Sequence, residues 1–181
     1  MRAPILTRGH AQTGKASKVL APRRALCNVG AMPAEAPAEV AAPARAPLRE
    51  VARVRVIYGD TDQMGMVYYA NYLRYFEIAR NEYLRVAGAT YRAFEETHGL
   101  MLPVVEAQVS YHKPARYDDE LVISAATFPR GAASVRFEYE IRRADGERLV
   151  SGHTIHACVT REGRVVRLPA AMRAAVGLGE R

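Results

Sequence analysis

The hydrophobic pattern of the chain changes twice after an irregular first quarter. Residues 51–58, VARVRVIY, alternate valines with arginines, which is the period-two pattern of a half-buried strand. Farther along, apolar side chains recur at helical spacing up to Gly88, whose backbone freedom suits a helix C-terminus. The pattern therefore predicts one strand followed by one long helix, with its apolar stripe formed by Leu73, Phe76, Ala79 or Arg80, Tyr83, Leu84 and Ala87.

The rest of the chain is rich in β-forming residues. A short helical segment, YRAFEETHG, ends at Gly99, and the segments MLPVVEAQVSYH, DELVISAATF, SVRFEYEIRR and RLVSGHTIHACVT follow it as predicted strands. Residues 144–146 predict a hairpin turn, and residues 162–163 predict another before RVVRL. Consecutive strands can pair antiparallel, so we expect an α+β fold with one helix wrapped by a curved antiparallel sheet. A free edge strand predicts a homodimer or homotetramer.

The first 48 residues differ from the remainder in composition. Before Pro47, seven basic residues stand against only Glu35 and Glu39, so this segment holds five of the seven net positive charges. Its Ala/Pro-rich sequence predicts a disordered basic leader, residues 1–48, ahead of a folded domain, residues 49–181. A transit-like segment or a true start near Met32 are the rival interpretations. Because the charge is concentrated in the leader, no nucleic-acid partner is expected.

Other function classes lose support from what the sequence lacks. No apolar run approaches the ~18–20 residues that cross a bilayer, and no signal-peptide pattern opens the chain. We therefore expect a cytoplasmic protein without a membrane span. The two cysteines, Cys27 and Cys158, form no CxxC pair, so neither a disulfide framework nor a metal site is expected. No P-loop, nucleophile elbow or dinucleotide-binding fingerprint occurs, and no cofactor is expected.

The segment between the first strand and the long helix is the strongest candidate for chemistry. Residues 58–65, YGDTDQMG, place two carboxylates and two glycines in one connection. A plain turn, with Asp60 or Asp62 as a cap, explains this composition. The alternative is catalytic, because free N–H groups at a helix start can stabilise an oxyanion that a nearby carboxylate helps to form.

The motif Y-G-D-T-D-Q-M-G-M-V-Y-Y-A-N-Y, followed by F-E-I-A-R, resembles the 4-hydroxybenzoyl-CoA thioesterase family of hotdog proteins. It is also similar to the related acyl-CoA thioesterases encoded near the Tol-Pal system. The resemblance extends over roughly residues 51–167 and includes Y-H-K-P-A-R-Y-D-D-E-L. It implies a hotdog fold and hydrolysis of a short-chain or aromatic acyl-CoA to free acid and CoA.

The resemblance also implies roles for individual residues. Asp62, the second Asp of the D-x-D pair, matches the catalytic carboxylate as nucleophile or general base, and the backbone N–H near Tyr69 matches the group that polarises the carbonyl. Tyr58 matches a Tyr found four residues before the catalytic Asp in the Tol-Pal-associated branch. That branch usually carries His at the position of Tyr69, whereas members acting on aromatic substrates can carry Tyr, so the motif has mixed character.

The predicted binding residues surround these positions. We expect acyl-CoA as the substrate, and acyl carrier protein is a second expected partner. Lys113, at a strand end, is placed to meet the phosphates of CoA. The predicted substrate-binding residues are Gly65, Val67, Tyr68, Asn71 and Lys113.

Two further function classes stay open from the sequence. A hotdog hydratase or dehydratase would act on the same thioesters, but such enzymes usually pair Asp with His, and no His lies near Asp62 in sequence. A non-catalytic module that binds acyl-CoA or acyl carrier protein would keep the fold without the chemistry. Release of free thiol from acyl-CoA distinguishes hydrolysis from both alternatives.

Overall fold

The computed structural model describes residues 47–177 and shows a seven-stranded α+β domain. The predicted leader, residues 1–48, lies outside the described residues except for 47 and 48, and strand β1 begins directly after it. The strands are β1 Arg49–Arg55, β2 Leu100–Met101, β3 Val104–Tyr111, β4 Glu120–Pro129, β5 Ser134–Arg143, β6 Arg148–Ala157 and β7 Val159–Thr160. The helices are α1 Asn71–Val86, α2 Tyr91–His98 and α3 Ala170–Ala175.

The five long strands form one antiparallel sheet in the order β1-β4-β5-β6-β3, while β2 and β7 pair separately. Hairpins join β4 to β5 and β5 to β6, and the second closes with a hydrogen bond from Gly146 N–H to the Arg143 carbonyl. Strands β1 and β3 are the two edges of the sheet. The predicted architecture, a central helix and a curved antiparallel sheet, is thus confirmed.

Helix α1 lies against the inner face of this sheet. Phe76 stacks on Tyr139 of β5 with ring centroids 4.3 Å apart and planes inclined by only 10°. Such a pair adds about 0.5–1.5 kcal/mol beyond the area that it buries. Tyr83 meets Phe137 edge-on, about two turns farther along the helix. The alternate residues Val135, Phe137, Tyr139 and Ile141 of β5 are all buried, as the period-two pattern requires.

The buried stripe of α1 is rotated relative to the predicted one. Leu73 was expected to be buried but is 41% exposed, and Ala87 is also exposed. Tyr72 and Tyr75 take the inward positions instead, since their hydroxyl groups find buried partners near the start of the helix. Residues buried in α1 are Tyr72, Tyr75, Phe76, Ala79, Tyr83 and Leu84.

The C-terminal part of the domain also differs from the prediction. The predicted turn at residues 162–163 is present, and RVVRL after it forms one bridge, between Val165 and Val159. Helix α3 follows it and buries Met172. The Thr127 hydroxyl donates to the carbonyl of Val176 just beyond α3, so this short helix is tied to strand β4. Six residues are too few for helical periodicity to be recognised in the sequence.

His156 lies on the inner face of the sheet and is fully buried. Its Nδ1 bonds to the Leu102 carbonyl and its Nε2 to the Thr154 hydroxyl. Burial lowers the pKa of His156 to about 4. His153 is on the opposite face beside Glu106, so the two histidines belong to different environments.

Gly152 of β6 determines how closely α1 approaches the sheet. A Cβ at this position would stand 2.2 Å from the Gln108 carbonyl oxygen and 2.9 Å from the Phe76 ring. The backbone oxygen belongs to the neighbouring strand and cannot rotate away as a side chain would. A side chain at position 152 would therefore displace the Phe76 ring and disturb the β3–β6 pairing.

We expect Gly152→Ala to destabilise the domain by at least about 2 kcal/mol, because the added methyl overpacks a rigid contact. Thermal unfolding followed by circular dichroism measures this loss as a lower Tm. Gly59→Ala is the matched control, since a Cβ there meets nothing within 4 Å. Equal Tm values for the two variants would contradict the role given to Gly152.

Candidate active site

The connection between β1 and α1 folds into two successive turns that present Asp62. A 3-10 turn, Tyr58–Asp60, comes first, and the N–H and hydroxyl of Thr61 both donate to the Tyr58 carbonyl. Residues 62–66 then form a tight loop in which Asp62 N–H donates to the Met66 carbonyl at 2.9 Å. Gly65, with φ +69°, supplies the left-handed backbone that closes this loop.

Asp62 is half-buried, and its two carboxylate oxygens have different environments. Oδ1 accepts the N–H of Met64 at 2.8 Å, which fixes the rotation of the carboxylate. Within residues 47–177, Oδ2 accepts no hydrogen bond from the protein. The plain turn interpretation thus accounts for one oxygen of Asp62 and leaves the other available to a ligand.

Helix α1 begins without a side-chain cap. Its N-cap residue is Ala70, whose side chain has no group that could accept from the first helical N–H groups. The Tyr68 carbonyl accepts from Asn71 N–H at 2.9 Å and so points along the helix. In a planar peptide the Tyr69 N–H points the opposite way, out of the helix start. Within the described part of the chain, this N–H has no hydrogen-bond acceptor.

Asp62 and Tyr69 line the same cleft, which has a volume of about 290 Å³. The floor is apolar and aromatic, with Val67 and Tyr72 buried beneath it. The segment that follows β3 forms the opposite wall and contributes His112 and Lys113. The full lining is Asp62, Met64, Met66, Val67, Tyr69, Tyr72, Tyr111, His112, Lys113 and Pro114.

The far wall of the cleft is connected to the helix start by tyrosines. The Tyr111 hydroxyl donates to the Tyr69 carbonyl at 3.1 Å. The Tyr72 hydroxyl accepts the Ala115 N–H, also at 3.1 Å. Burial raises the pKa of both tyrosines, so both stay protonated at neutral pH. Neither residue was identified from the sequence, because each belongs to the cleft through a partner about 40 residues away.

Asp60 has a different environment from Asp62. It is only 4% exposed, and its carboxylate accepts the Tyr75 hydroxyl at 2.8 Å and Arg74 Nη1 at 3.0 Å. Its carbonyl accepts the Tyr68 N–H and the Asn71 side-chain amide, both at 2.9 Å. Burial and then the bond to Asp60 raise the pKa of Tyr75. Asp60 is therefore an internal link between the loop and α1, with its carboxylate bonded to side chains and not to backbone N–H groups.

The structure brings together four of the eight residues predicted for the site. Asp62, Val67, Tyr69 and Lys113 line the cleft, with Lys113 Nζ 3.3 Å from Glu147 Oε1. Tyr58, Gly65, Tyr68 and Asn71 are not among the lining residues. The lining residues that were not predicted are Met64, Met66, Tyr72, Tyr111, His112 and Pro114.

The four predicted residues outside the cleft have identifiable contacts. Tyr58 is 78% exposed and packs edge-on against Tyr117. The Gly65 carbonyl accepts Arg116 Nη1 at 3.3 Å, and the Asn71 side chain holds the loop through Asp60. The Tyr68 ring lies beside that of Tyr69, whose hydroxyl raises the pKa of Tyr68. A catalytic role for Tyr58 stays a prediction.

Among the described residues, no group of three or more His, Cys, Asp or Glu side chains is arranged to hold a metal ion. The same part of the chain contains no helix with the length and apolarity that a bilayer crossing requires.

The family model described as "Thioesterase-like superfamily" matches residues 56–176, which include the cleft and the loop of Asp62. The chain belongs to this superfamily. The family prediction made from the motif is therefore confirmed, and so is the prediction of a thioester hydrolase.

Two curated relatives show the same assignment at the sequence level. The chain is 33% identical over 109 residues to "Putative acyl-CoA thioesterase YneP" of Bacillus subtilis, covering 60% of this chain and 78% of the relative. It is 34% identical over 106 residues to "Acyl-CoA thioester hydrolase YbgC" of Escherichia coli O6:H1, covering 59% and 78% respectively.

A solved structure shows the same fold. A variant of 4-hydroxybenzoyl-CoA thioesterase, crystallised with 4-hydroxybenzoyl-CoA, superimposes with a TM-score of 0.62 at 23% identity. The match covers 68% of this chain and 96% of that structure's chain. The predicted hotdog fold is thereby confirmed.

Proposed function

We propose that the protein hydrolyses a short-chain or aromatic acyl-CoA, with Asp62 acting on a thioester carbonyl that the Tyr69 N–H polarises. The observation that carries this proposal is the shared cleft. It joins a carboxylate with one free oxygen to a helix start with a free N–H group. The curated relatives YneP and YbgC, whose names denote acyl-CoA thioesterases, support the choice of substrate class.

The reaction converts a thioester and water into a carboxylic acid and CoA thiol. As a nucleophile, Asp62 would attack the carbonyl and form a mixed anhydride while the CoA thiolate leaves and takes up a proton. Water would then hydrolyse the anhydride. As a general base, Asp62 would remove a proton from water as that water attacks the carbonyl directly. In both routes negative charge develops on the carbonyl oxygen, where the Tyr69 N–H and the positive end of α1 stabilise it.

The size and lining of the cleft favour a small acyl group. About 290 Å³ is at the low end of the range for small-molecule sites. Met66, Val67 and Tyr72 provide an apolar surface for a short chain or an aromatic ring. A long fatty acyl chain would extend beyond this volume.

The cleft and the free edge strand are on neighbouring parts of the domain, since Tyr111 belongs to both. Strand β3 is eight residues long, and its side chains are mostly exposed, including Val105 at 60%. An unpaired edge of this length can pair antiparallel with the same strand of a second copy about a two-fold axis. We propose that β3 forms the interface of a homodimer.

We expect Asp62→Asn to reduce kcat for acyl-CoA hydrolysis by at least about 100-fold, because it removes the reacting carboxylate. The Asn side chain can still accept the Met64 N–H, so the loop should keep its shape. Release of CoA thiol, followed with a thiol reagent, measures the rate.

Asp145→Asn is the matched control for this variant. Asp145 Oδ1 accepts the N–H two residues ahead, Glu147, at 2.9 Å, which is the same turn geometry as at Asp62. This control should retain the wild-type rate. Near wild-type turnover in Asp62→Asn would exclude the proposed mechanism.

We expect Lys113→Ala to raise KM for acyl-CoA about two- to fivefold with little change in kcat, because an exposed cation contributes modest binding energy to a phosphate. Steady-state kinetics at low ionic strength measures the effect. Glu147→Gln is the control, since it removes the partner of Lys113 but keeps the cation. A similar rise of KM in both variants would assign Lys113 a structural role instead.

We expect the wild-type protein to sediment as a species of twice the 20.0 kDa chain mass, and Val105→Arg to shift it towards the monomer. A charge buried without a partner in the interface would disfavour pairing. Val86→Arg, at an equally exposed position on α1, should leave the dimer intact. Dissociation of both variants, or of neither, would argue against an interface at β3.

A further inference from the structure

We propose that Asp60 is a positioning residue for hydrolysis, which acts by holding the Tyr69 N–H in the direction required to polarise the thioester carbonyl. This inference deepens the proposed function and rests on it. Asp60 does not line the cleft, so any effect on the rate must pass through the backbone that it holds.

The Asp60 carboxylate attaches the 3-10 turn to α1. It is 4% exposed and forms two hydrogen bonds, from Tyr75 Oη at 2.8 Å and Arg74 Nη1 at 3.0 Å. Both donors are on α1. The 3-10 turn is therefore attached to the first turns of the helix by a charged, almost fully buried group, and charge-assisted bonds of this kind are short and directional.

The Asp60 carbonyl holds the backbone on both sides of Tyr69. It accepts from the Tyr68 N–H and from Asn71 Nδ2, each at 2.9 Å. These bonds hold the residue immediately before Tyr69 and the residue two positions after it. Because the Tyr68 carbonyl is also occupied, by the Asn71 N–H, the peptide plane between Tyr68 and Tyr69 is fixed on both sides. The Tyr69 N–H cannot reorient without breaking a bond to Asp60 or to α1.

Asp60 holds the helix start from the side, where no side-chain cap is present. In the described structure α1 has no side-chain N-cap, and the methyl group of Ala70 cannot accept a hydrogen bond. A Ser, Thr, Asp or Asn cap at this position would bond to N–H groups inside the first turn and would not hold the Tyr69 N–H, which precedes them. The bonds to Asp60 fix the backbone around Tyr69 and leave its N–H available to the substrate carbonyl.

A positioning role predicts a loss in kcat without a matching change in substrate binding. We expect Asp60→Asn to reduce kcat between about 10-fold and 100-fold, because small displacements of a stabilising donor have effects of this size. KM for acyl-CoA should stay within about twofold, and the affinity for free CoA, measured by titration calorimetry, should not change. Tyr75→Phe removes one of the two bonds to the carboxylate and should show the same pattern, with a smaller loss.

Tyr83→Phe is the matched control. Tyr83 is a buried tyrosine on the same helix, and its hydroxyl bonds to Thr127 far from the loop. It loses a buried hydrogen bond like Tyr75→Phe but leaves the Asp60 contacts intact. We expect a comparable decrease in Tm with unchanged kcat.

The outcomes separate this inference from the proposed function. A normal kcat in both Asp60→Asn and Tyr75→Phe, while Asp62→Asn is inactive, would overturn the positioning role and leave the function standing. An equal loss of kcat in Tyr83→Phe would also overturn it, since general destabilisation would then explain the effect.

A second measurement does not depend on activity. Amide hydrogen exchange of Tyr68, observed by NMR, should accelerate in Asp60→Asn relative to Tyr83→Phe, because the acceptor of that N–H becomes mobile. Unchanged exchange at Tyr68 would contradict the inference even if the wild-type protein hydrolysed no acyl-CoA.

Discussion

The contact between Phe76 and the sheet sets the position of α1, and the site depends on that position. Phe76 stacks on Tyr139, and Gly152 leaves the space into which the ring fits. Helix α1 can therefore lie close to the strands over its buried face. With the middle of the helix fixed, its first turn is held beside the wall that follows β3. The cleft is the gap that remains between them, and its aromatic floor comes from the same helix.

Two aspartates in one short motif have separate roles because their surroundings differ. Asp60 faces inward and has four hydrogen bonds through its carboxylate and its carbonyl. Asp62 faces the cleft and has one oxygen committed to a turn. A carboxylate with all its acceptors occupied holds structure, whereas one with a free oxygen can act on a ligand. Only Thr61 lies between the two aspartates, and the 3-10 turn ends at Asp60, so Asp62 belongs to the next turn.

Much of the fold could be predicted from local patterns. The alternation of valine and arginine identified β1, the turn residues at 144–146 identified the β5–β6 hairpin, and Gly88 marked the region where α1 ends. The prediction of the buried face of α1 was less accurate, because helical spacing placed Leu73 on that face instead of Tyr72 and Tyr75. Tyr72 and Tyr75 can be buried because their hydroxyl groups have buried partners, the Ala115 N–H for Tyr72 and the Asp60 carboxylate for Tyr75. Helix α3 was missed for the simpler reason that it is six residues long.

The sequence by itself determined the family and the class of fold, and it predicted Asp62 as the reacting carboxylate, because a motif of contiguous residues carries this information. Only the tertiary structure decided which side chains line the cleft. Tyr111 and Pro114 line the same cleft as Asp62 because the β3–β6 register and the chain after β3 place them there. Tyr58 packs against Tyr117 outside the cleft. Proximity between segments some 40 residues apart depends on packing and strand register. Neither packing nor strand register can be recognised from a short stretch of sequence.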